Sequence, residues 1–472
     1  MTATKLRHVI CLIALVFPAG LLLSAAGGFS ADGAEAPEAA PEQSSLEQTF
    51  ESPEPYVPGE VVVQRKGEEF SDTVQVPEGA DPAAVAKQLQ ARPNITAASP
   101  NYIARASSTF DPNDQGVQPW KTAPAGGWAD KQWNFLPCST LCGLPGASGQ
   151  KQSRGGINVL GAWKNLRKAG RPGAKGVRIA VIDSGVAYRN YKTRFRKSPD
   201  LKRSHIGNGR DFVDNDKLPL DRYGHGTHIT STISEATNNG IGLTGIAYGA
   251  KILPVRVLNA NGFGTTREIT NGVRWAANHH AKVAVMSLNF PCGDTSKVLS
   301  DALSYAHSKG VILVASAGNQ GSTTCPSLPA TGPGVIAVGG STAGGCLANY
   351  SFRSPEIALT APGGGPGYPD CPYAAKDRPV FQLSMRFEDP RNFAIENRWE
   401  GTSMAAAHLA GAAAMVVASG VLTDGTGPRQ VRDRLIATAR MPDYASPTPD
   451  SGFGAGIIDA ARATDPAVVT TP

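Results

Sequence analysis

Three short islands carry the residue types of nucleophilic catalysis: Asp183-Ser184-Gly185, His225-Gly226-Thr227-His228 and Gly401-Thr402-Ser403-Met404-Ala405-Ala406. A serine hydroxyl is a weak nucleophile at neutral pH. It needs an imidazole to take its proton and a carboxylate to fix the imidazole tautomer and stabilise its charged form. In chain order the islands offer Asp183 as the acid, His225 as the base and Ser403 as the nucleophile. Acyl transfer also needs a donor aimed at the oxyanion of the tetrahedral intermediate. Asn319, in Ser316-Ala317-Gly318-Asn319, can supply amide hydrogens for that role.

Each island falls where an element should begin or end. Asp183 closes the apolar run Val177–Ile182, which reads as a buried strand, and Ser184-Gly185 turns the chain away. His225 lies between Gly224 and Gly226, in a tight turn ahead of a helix expected over Thr227–Ala236. Ser403 leads into an Ala-rich helix expected over Met404–Ala418, so its hydroxyl lies near a helix N-terminus whose dipole favours developing negative charge. The run Val311–Ala315 reads as a strand leading to Asn319. Strands expected over Ile252–Leu258, Val283–Leu288 and Val335–Gly339 alternate with helices over 265–278 and 297–308. This alternation predicts an α/β fold, a three-layer α/β/α arrangement with a mostly parallel sheet, whose ligands bind beyond the strand carboxyl ends.

Taken with Met286-Ser287-Leu288 and Ala361-Pro362-Gly363, the islands make about residues 130–462 resemble the subtilisin-like serine peptidases, the subtilases, and their thermitase-like bacterial members in particular. The resemblance implies a serine endopeptidase working through an acyl-enzyme intermediate. Its protein or peptide substrates would lie extended between Gly262-Phe263-Gly264 and Ser287-Leu288-Asn289, with Phe290 beside the primary pocket. Asn289-Phe290 stands where family members usually carry two glycines. Ala407 replaces the usual proline after the nucleophile, and Thr230-Ser231 the usual Ala-Gly after the histidine. Residues 364–398 read as an insertion near the leaving-group side. Structural calcium is implied at two places. One joins Asp200 and Asn239 to the carbonyls of Ala236, Ile241 and Leu243, with Asp114 adding charge; the other is the loop of Asp211, Asp214 and Asp216. The alternative is a catalytically silent subtilase scaffold that binds peptides or partners. Such a scaffold would be expected to have lost a reacting group, and none is lost.

The 472-residue chain is long enough for two folded units with a sizeable core, and its hydrophobic content of 41% is ordinary for a globular protein. A formal charge of +6 without a long basic run points to a solvated surface and no nucleic-acid partner. Residues 1–26 read as a signal peptide: Lys5, Arg7 and His8, then an apolar stretch broken by Pro18 and Gly20, then Ser24-Ala25-Ala26. Residues 27–55, rich in Ala, Pro and Glu, read as a disordered linker. Residues 56–106 follow as a small unit with a strand at 60–64, a helix over 82–91 capped by Asp81, and a returning strand over 95–103. Its Ser99-Pro100-Asn101-Tyr102-Ile103 ending resembles the inhibitory propeptides of subtilases, which makes the chain a zymogen with its own intramolecular inhibitor. A linker over 107–129, the catalytic domain over 130–462 and a tail over 463–472 complete the division. Once Cys11 leaves with the signal, six cysteines suit an oxidising compartment. Cys138 and Cys142 are close enough for a local loop; Cys292 and Cys325 each follow an active-site strand and could be tied, which leaves Cys346 for Cys371. A secreted monomer is the expectation, with a cell-surface form held by its N-terminus as the variant.

Overall fold

The computed structural model describes residues 56–67, 72–102, 112–117, 121, 125–142, 151–290, 296–321, 326–373, 378–386, 389–445 and 451–470. The chain divides into two compact units, Met1–Ser107 and Ser108–Pro472. The expected signal peptide and linker over 1–55 lie outside the described residues.

In the first unit β1 (Tyr56–Arg65), β2 (Asp72–Gln75) and β3 (Ile95–Tyr102) form an antiparallel sheet in the order β2-β1-β3. Helix α1 (Pro82–Gln90) starts with Pro82, and the Asp81 carboxylate caps it by accepting from the Ala83 amide at 3.0 Å. Val61, Val63, Ala86 and Leu89 make its small core. The sequence does not announce β2, because Asp-Thr-Val-Gln is short and polar.

The second unit is built on seven parallel strands: β4 (Arg178–Asp183), β5 (Arg210–Asp211), β6 (Lys251–Arg256), β7 (Val283–Met286), β8 (Ile312–Ser316), β9 (Val335–Ser341) and β10 (Leu359–Pro362). Their order is β10-β9-β8-β7-β4-β6-β5. Alternation along β4 shows how the layers form. Ile179 and Val181 pack with α2 (Val159–Lys168), α3 (His225–Ser234), α6 (Thr402–Ser419) and α7 (Pro428–Thr438) on one face. Ala180 and Ile182 pack with α4 (Thr266–Asn278) and α5 (Lys297–Ser308) on the other. This is the three-layer α/β/α fold. Helix α6 is long and apolar enough to cross a membrane, yet 83% of it is buried inside the protein, which marks it as a central core helix.

Residues 364–398 differ from a plain loop. They contain a hairpin, β11 (Gln382–Arg386) and β12 (Asp389–Glu396), that lies on α3. Ser231 Oγ donates to the Leu383 carbonyl at 2.9 Å, Ser384 Oγ donates to the Gly224 carbonyl at 2.8 Å, and His228 Nε2 meets the Val380 carbonyl at 3.1 Å. Disulfides join Cys138 to Cys142 and Cys346 to Cys371. Cys292 and Cys325 lie outside the described residues.

Candidate active site

Asp183 is the last residue of β4, at the carboxyl edge of the sheet, and is buried. His225 is the first residue of α3, so that helix starts two residues earlier than the glycine-flanked turn suggests. Gly224 makes this possible by adopting φ 101° just ahead of it. The imidazole Nδ1 lies 2.8 Å from Asp183 Oδ1 and 3.0 Å from Oδ2. Donation from Nδ1 to the carboxylate leaves Nε2 as the basic nitrogen. Burial alone would push the His225 pKa down, but the charge and hydrogen bond of Asp183, with the charge of Asp221, carry it above its ordinary value.

Ser403 is the second residue of α6, in its first turn. Its Oγ donates to the Ser287 carbonyl at 3.1 Å, while Ser287 Oγ donates to the Ser403 carbonyl at 3.0 Å. These reciprocal bonds tie the helix start to the segment after β7. Gly401 precedes the helix at φ 140°, and a Cβ there would stand 3.0 Å from Asn319 Nδ2. Asn319 follows β8 by three residues. Its Oδ1 accepts from the Thr402 amide at 2.8 Å and the Thr402 hydroxyl at 2.9 Å. With the oxygen so engaged, the Nδ2 hydrogens are the end of the amide left for a ligand.

The other expected site residues divide. Gly262-Phe263-Gly264 forms a turn closed by Asn259, whose Oδ1 accepts from the Phe263 amide at 3.1 Å and whose amide donates to the Phe263 carbonyl at 2.8 Å. Phe263 projects into solvent, 71% exposed. Ser287-Leu288-Asn289-Phe290 runs on from β7 without regular structure. The Phe290 backbone is fixed by Leu328 (3.0 Å) and by the Ser327 hydroxyl (2.7 Å), which leaves Asn289 exposed. Asp200 is buried, with Asn239 Nδ2 on Oδ1 at 2.7 Å and the Leu243 amide on Oδ2 at 3.1 Å. Ala236 joins the same loop by donating its amide to the Asp200 carbonyl at 2.8 Å, and the Ile241 amide donates to Asn239 Oδ1 at 3.2 Å.

The loop of Asp211, Asp214 and Asp216 has a different use. The buried Arg256 guanidinium bonds Asp211 Oδ2 at 2.7 Å and Asp214 Oδ2 at 2.9 Å, and Arg222 also bonds Asp214. Asp211 Oδ1 accepts from the Val213 and Asp214 amides, and Asp216 Oδ1 from the Leu218 amide. Arg256 and Arg222 already pair with Asp211 and Asp214, and Asp216 is engaged by the Leu218 amide, so this set fits calcium poorly.

Asp221 is the main residue that sequence reasoning missed. Fully buried, its carboxylate accepts from Ser184 Oγ, the Tyr223 and Gly224 amides, and the amide and hydroxyl of Thr227. Ser184 Oγ in turn accepts from the Gly226 amide at 2.9 Å. One carboxylate thus joins the turn after β4 to the first turn of α3. An acid four residues before His225, with a glycine between, was the available signal. Trp399 also went unnoticed; its ring lies 5.2 Å from the His225 ring, edge to face.

The subtilase family model matches residues 174–456. The chain belongs to the subtilase family. The "Thermophilic serine proteinase" of Bacillus sp. (strain AK1) is 33% identical over 340 residues, which cover 71% of this chain and 67% of that protein. Thermitase of Thermoactinomyces vulgaris is 36% identical over 247 residues, covering 52% of this chain and 76% of that protein. A solved protease structure from Pseudoalteromonas arctica PAMC 21717 aligns with a TM-score of 0.57 at 27% identity, covering 76% of this chain and 100% of that one. This subtilase is thus a serine endopeptidase of the subtilisin type, and the alternative of a silent scaffold is not favoured.

Proposed function

We propose that Asp183, His225 and Ser403 form the triad of this subtilase and that Asn319 binds the oxyanion. The observation that carries the reading is the His225 imidazole seated on Asp183, at the carboxyl edge of the sheet where α6 presents Ser403 in its first turn. Turning the Ser403 hydroxyl from the Ser287 carbonyl to His225 Nε2 starts the reaction; such hydrogen bonds are often looser before substrate arrives. As Oγ attacks the scissile carbonyl, its proton passes to Nε2 and Asp183 stabilises the imidazolium. The carbonyl oxygen, now charged, takes a hydrogen bond from Asn319 Nδ2. His225 then protonates the leaving amine, and water, deprotonated by His225, hydrolyses the acyl-enzyme. The turn at Gly262-Phe263-Gly264 and the Ser287–Phe290 segment flank the substrate, with Asn289 and Phe290 at the primary pocket.

The remaining parts of the reading are export, inhibition by residues 56–106 and a structural cation. The division at Ser107 supports a separate inhibitory unit, and the signal-like N-terminus and two disulfides support secretion. Calcium fits the Asp200 loop. Asp114, Asp200 and Glu235 are all buried and repel one another; burial pushes Asp200 up to about 8 and Asp114 up to about 6. Buried carboxylates so placed are stabilised by a cation or by protons. Gly242 closes tightly over the loop, since a Cβ there would meet Asp200 Oδ2 at 2.1 Å. Among the described residues no three His, Cys, Asp or Glu side chains converge as a metal cluster. A bound ion would therefore draw on Asp200, Asn239 and the carbonyls of Ala236, Ile241 and Leu243, where it would neutralise buried charge.

The test of the triad is Ser403→Ala. The variant should fold, keep residues 56–106 attached and cut no peptide. A Ser403→Ala protein that loses that segment in isolation and still digests casein would refute the reading.

A further inference from the structure

The formal charge of +6 conceals a strong segregation. Residues 164–210 hold fourteen Lys and Arg against two Asp, and both acids, Asp183 and Asp200, are buried. The fold gathers much of this charge at the amino edge of the central sheet, the edge opposite Asp183. Arg178 and Lys251 open β4 and β6 as paired neighbours. Lys282, one residue before β7, donates its amide to the Arg178 carbonyl and accepts from the Ile312 amide at the start of β8. Lys309 lies just ahead of β8. On the other side Lys251 Nζ donates to the Ser204 carbonyl at 2.8 Å, and Ile206 bridges to Ile252, which brings Arg203 beside β6. Strands about 4.8 Å apart therefore set Lys251, Arg178 and Lys282 in a row, which Arg203 and Lys309 extend from the flanking turns to five cations over roughly 20 Å.

Two concavities lie along this row. One, of about 600 Å³, is lined by Lys175, Lys197, Lys202, Arg203 and His205. The other, of about 370 Å³, is lined by His280, Lys282 and Lys309. Among the described residues, no carboxylate forms an ion pair with Lys175, Arg178, Lys202, Arg203, Lys251, Lys282 or Lys309.

We propose that this edge binds a linear phosphate polymer, laid along the cation row with its phosphates seated in the two concavities. Closely spaced cations without intervening acids suit a chain that repeats its anionic group at short intervals. The large exposed apolar side chains among the described residues, Leu141, Phe263, Val298 and Val469, lie outside the row, so it lacks an apolar anchor for a lipid surface. β4 runs six residues from Arg178 to Asp183, about 17 Å. A bound polymer would therefore hold the peptidase with its cleft facing away.

The experiment is fluorescence anisotropy of the full chain with labelled inorganic polyphosphate, poly(glycerol phosphate) and a single-stranded oligonucleotide, each titrated in rising NaCl. Tighter binding of polyphosphate or of poly(glycerol phosphate) identifies the source of the phosphate, and tightest binding of the oligonucleotide would overturn the proposal. Five phosphate contacts predict a loss on the order of 100-fold between about 50 and 200 mM salt, from a slope of roughly −0.7 per contact. Replacing Arg178, Arg203, Lys282 and Lys309 together by Gln leaves one contact of the row, which should reduce that loss to about threefold and leave peptide hydrolysis unchanged. Replacing Lys217, Lys297, Arg429 and Arg432 by Gln removes the same charge elsewhere and should leave the salt response as it was. Equal weakening by both variants would overturn the proposal, as would preferential binding of poly-glutamate or of phosphatidylglycerol vesicles.

Discussion

Replacing Asp221 by Asn tests whether a carboxylate outside the proposed triad holds His225 in place. Asp221 Oδ1 accepts three hydrogen bonds, from Ser184 Oγ and the Tyr223 and Gly224 amides, each at 2.9 Å. Oδ2 accepts two, from the Thr227 amide at 2.9 Å and its hydroxyl at 2.5 Å. Asparagine keeps the shape but must turn one NH2 group toward donors. The less costly orientation faces Thr227, where the hydroxyl can reorient and the amide cannot. One charge-assisted bond is lost and one buried N–H is left against another donor, a cost of about 3 kcal/mol. Urea unfolding in a Ser403→Ala background, free of autolysis, would read that loss. In the active protein the charge of Asp221 helps raise the His225 pKa, so its removal should move the acid limb of kcat/KM to lower pH. Burial also pushes the Asp221 pKa up, which supplies the refuting case. Were Asp221 a neutral acid, Asn would mimic it, and both a loss under about 1 kcal/mol and an unmoved acid limb would follow.

Three further outcomes are expected. Asn319→Ala should lower kcat about 100- to 1000-fold with little change in KM, measured on a peptide substrate after active-site titration, because the proposed donor to the oxyanion is removed along with the acceptor of the Thr402 amide and hydroxyl. His408 and His228 are pushed down by burial, to about 4 and about 3, from an ordinary value of 6.5. As pH falls the unfolded chain protonates first, so their contribution to stability is complete above pH 6.5 and declines below it, by about 2 kcal/mol each at pH 5. His408→Gln, which leaves Asn134 an acceptor, should remove one such share from the urea-measured acid loss. Chelation should lower the melting temperature by several degrees. Asp200→Asn should abolish that response and Asp214→Asn should preserve it, because Asp214 already holds Arg256.

The sequence made the parallel sheet and the positions of the candidate triad residues legible, because each candidate sits at the end of a strongly patterned element. Val177–Ile182 could be nothing but a buried strand, and Ala-rich 404–418 nothing but a helix. Helix starts were less legible. His225 and Ser403 lie inside their first turns because Gly224 and Gly401 take positive φ, a backbone choice that spacing alone does not reveal. The hairpin at 382–396 was hidden because its apolar face, Leu383, Met385 and Phe393, is interrupted by Arg386 and Asp389. The guanidinium partner of the acidic loop at 211–216 was hidden because Arg256 lies 45 residues from Asp211 and 42 from Asp214 in sequence and meets them only through the pairing of β5 with β6. The basic edge was hidden for the same reason, as net charge averages over residues that the sheet later aligns.

Covalent capture of the nucleophile tests the central claim most directly. The full chain would be treated with a small sulfonyl fluoride and then digested and mapped by mass spectrometry. One adduct per molecule on Ser403, with matching loss of peptide hydrolysis, and no adduct in His225→Ala, is the result expected of a hydroxyl activated by its imidazole. Labelling of another serine in the active protein, or undiminished labelling of Ser403 without His225, would contradict it.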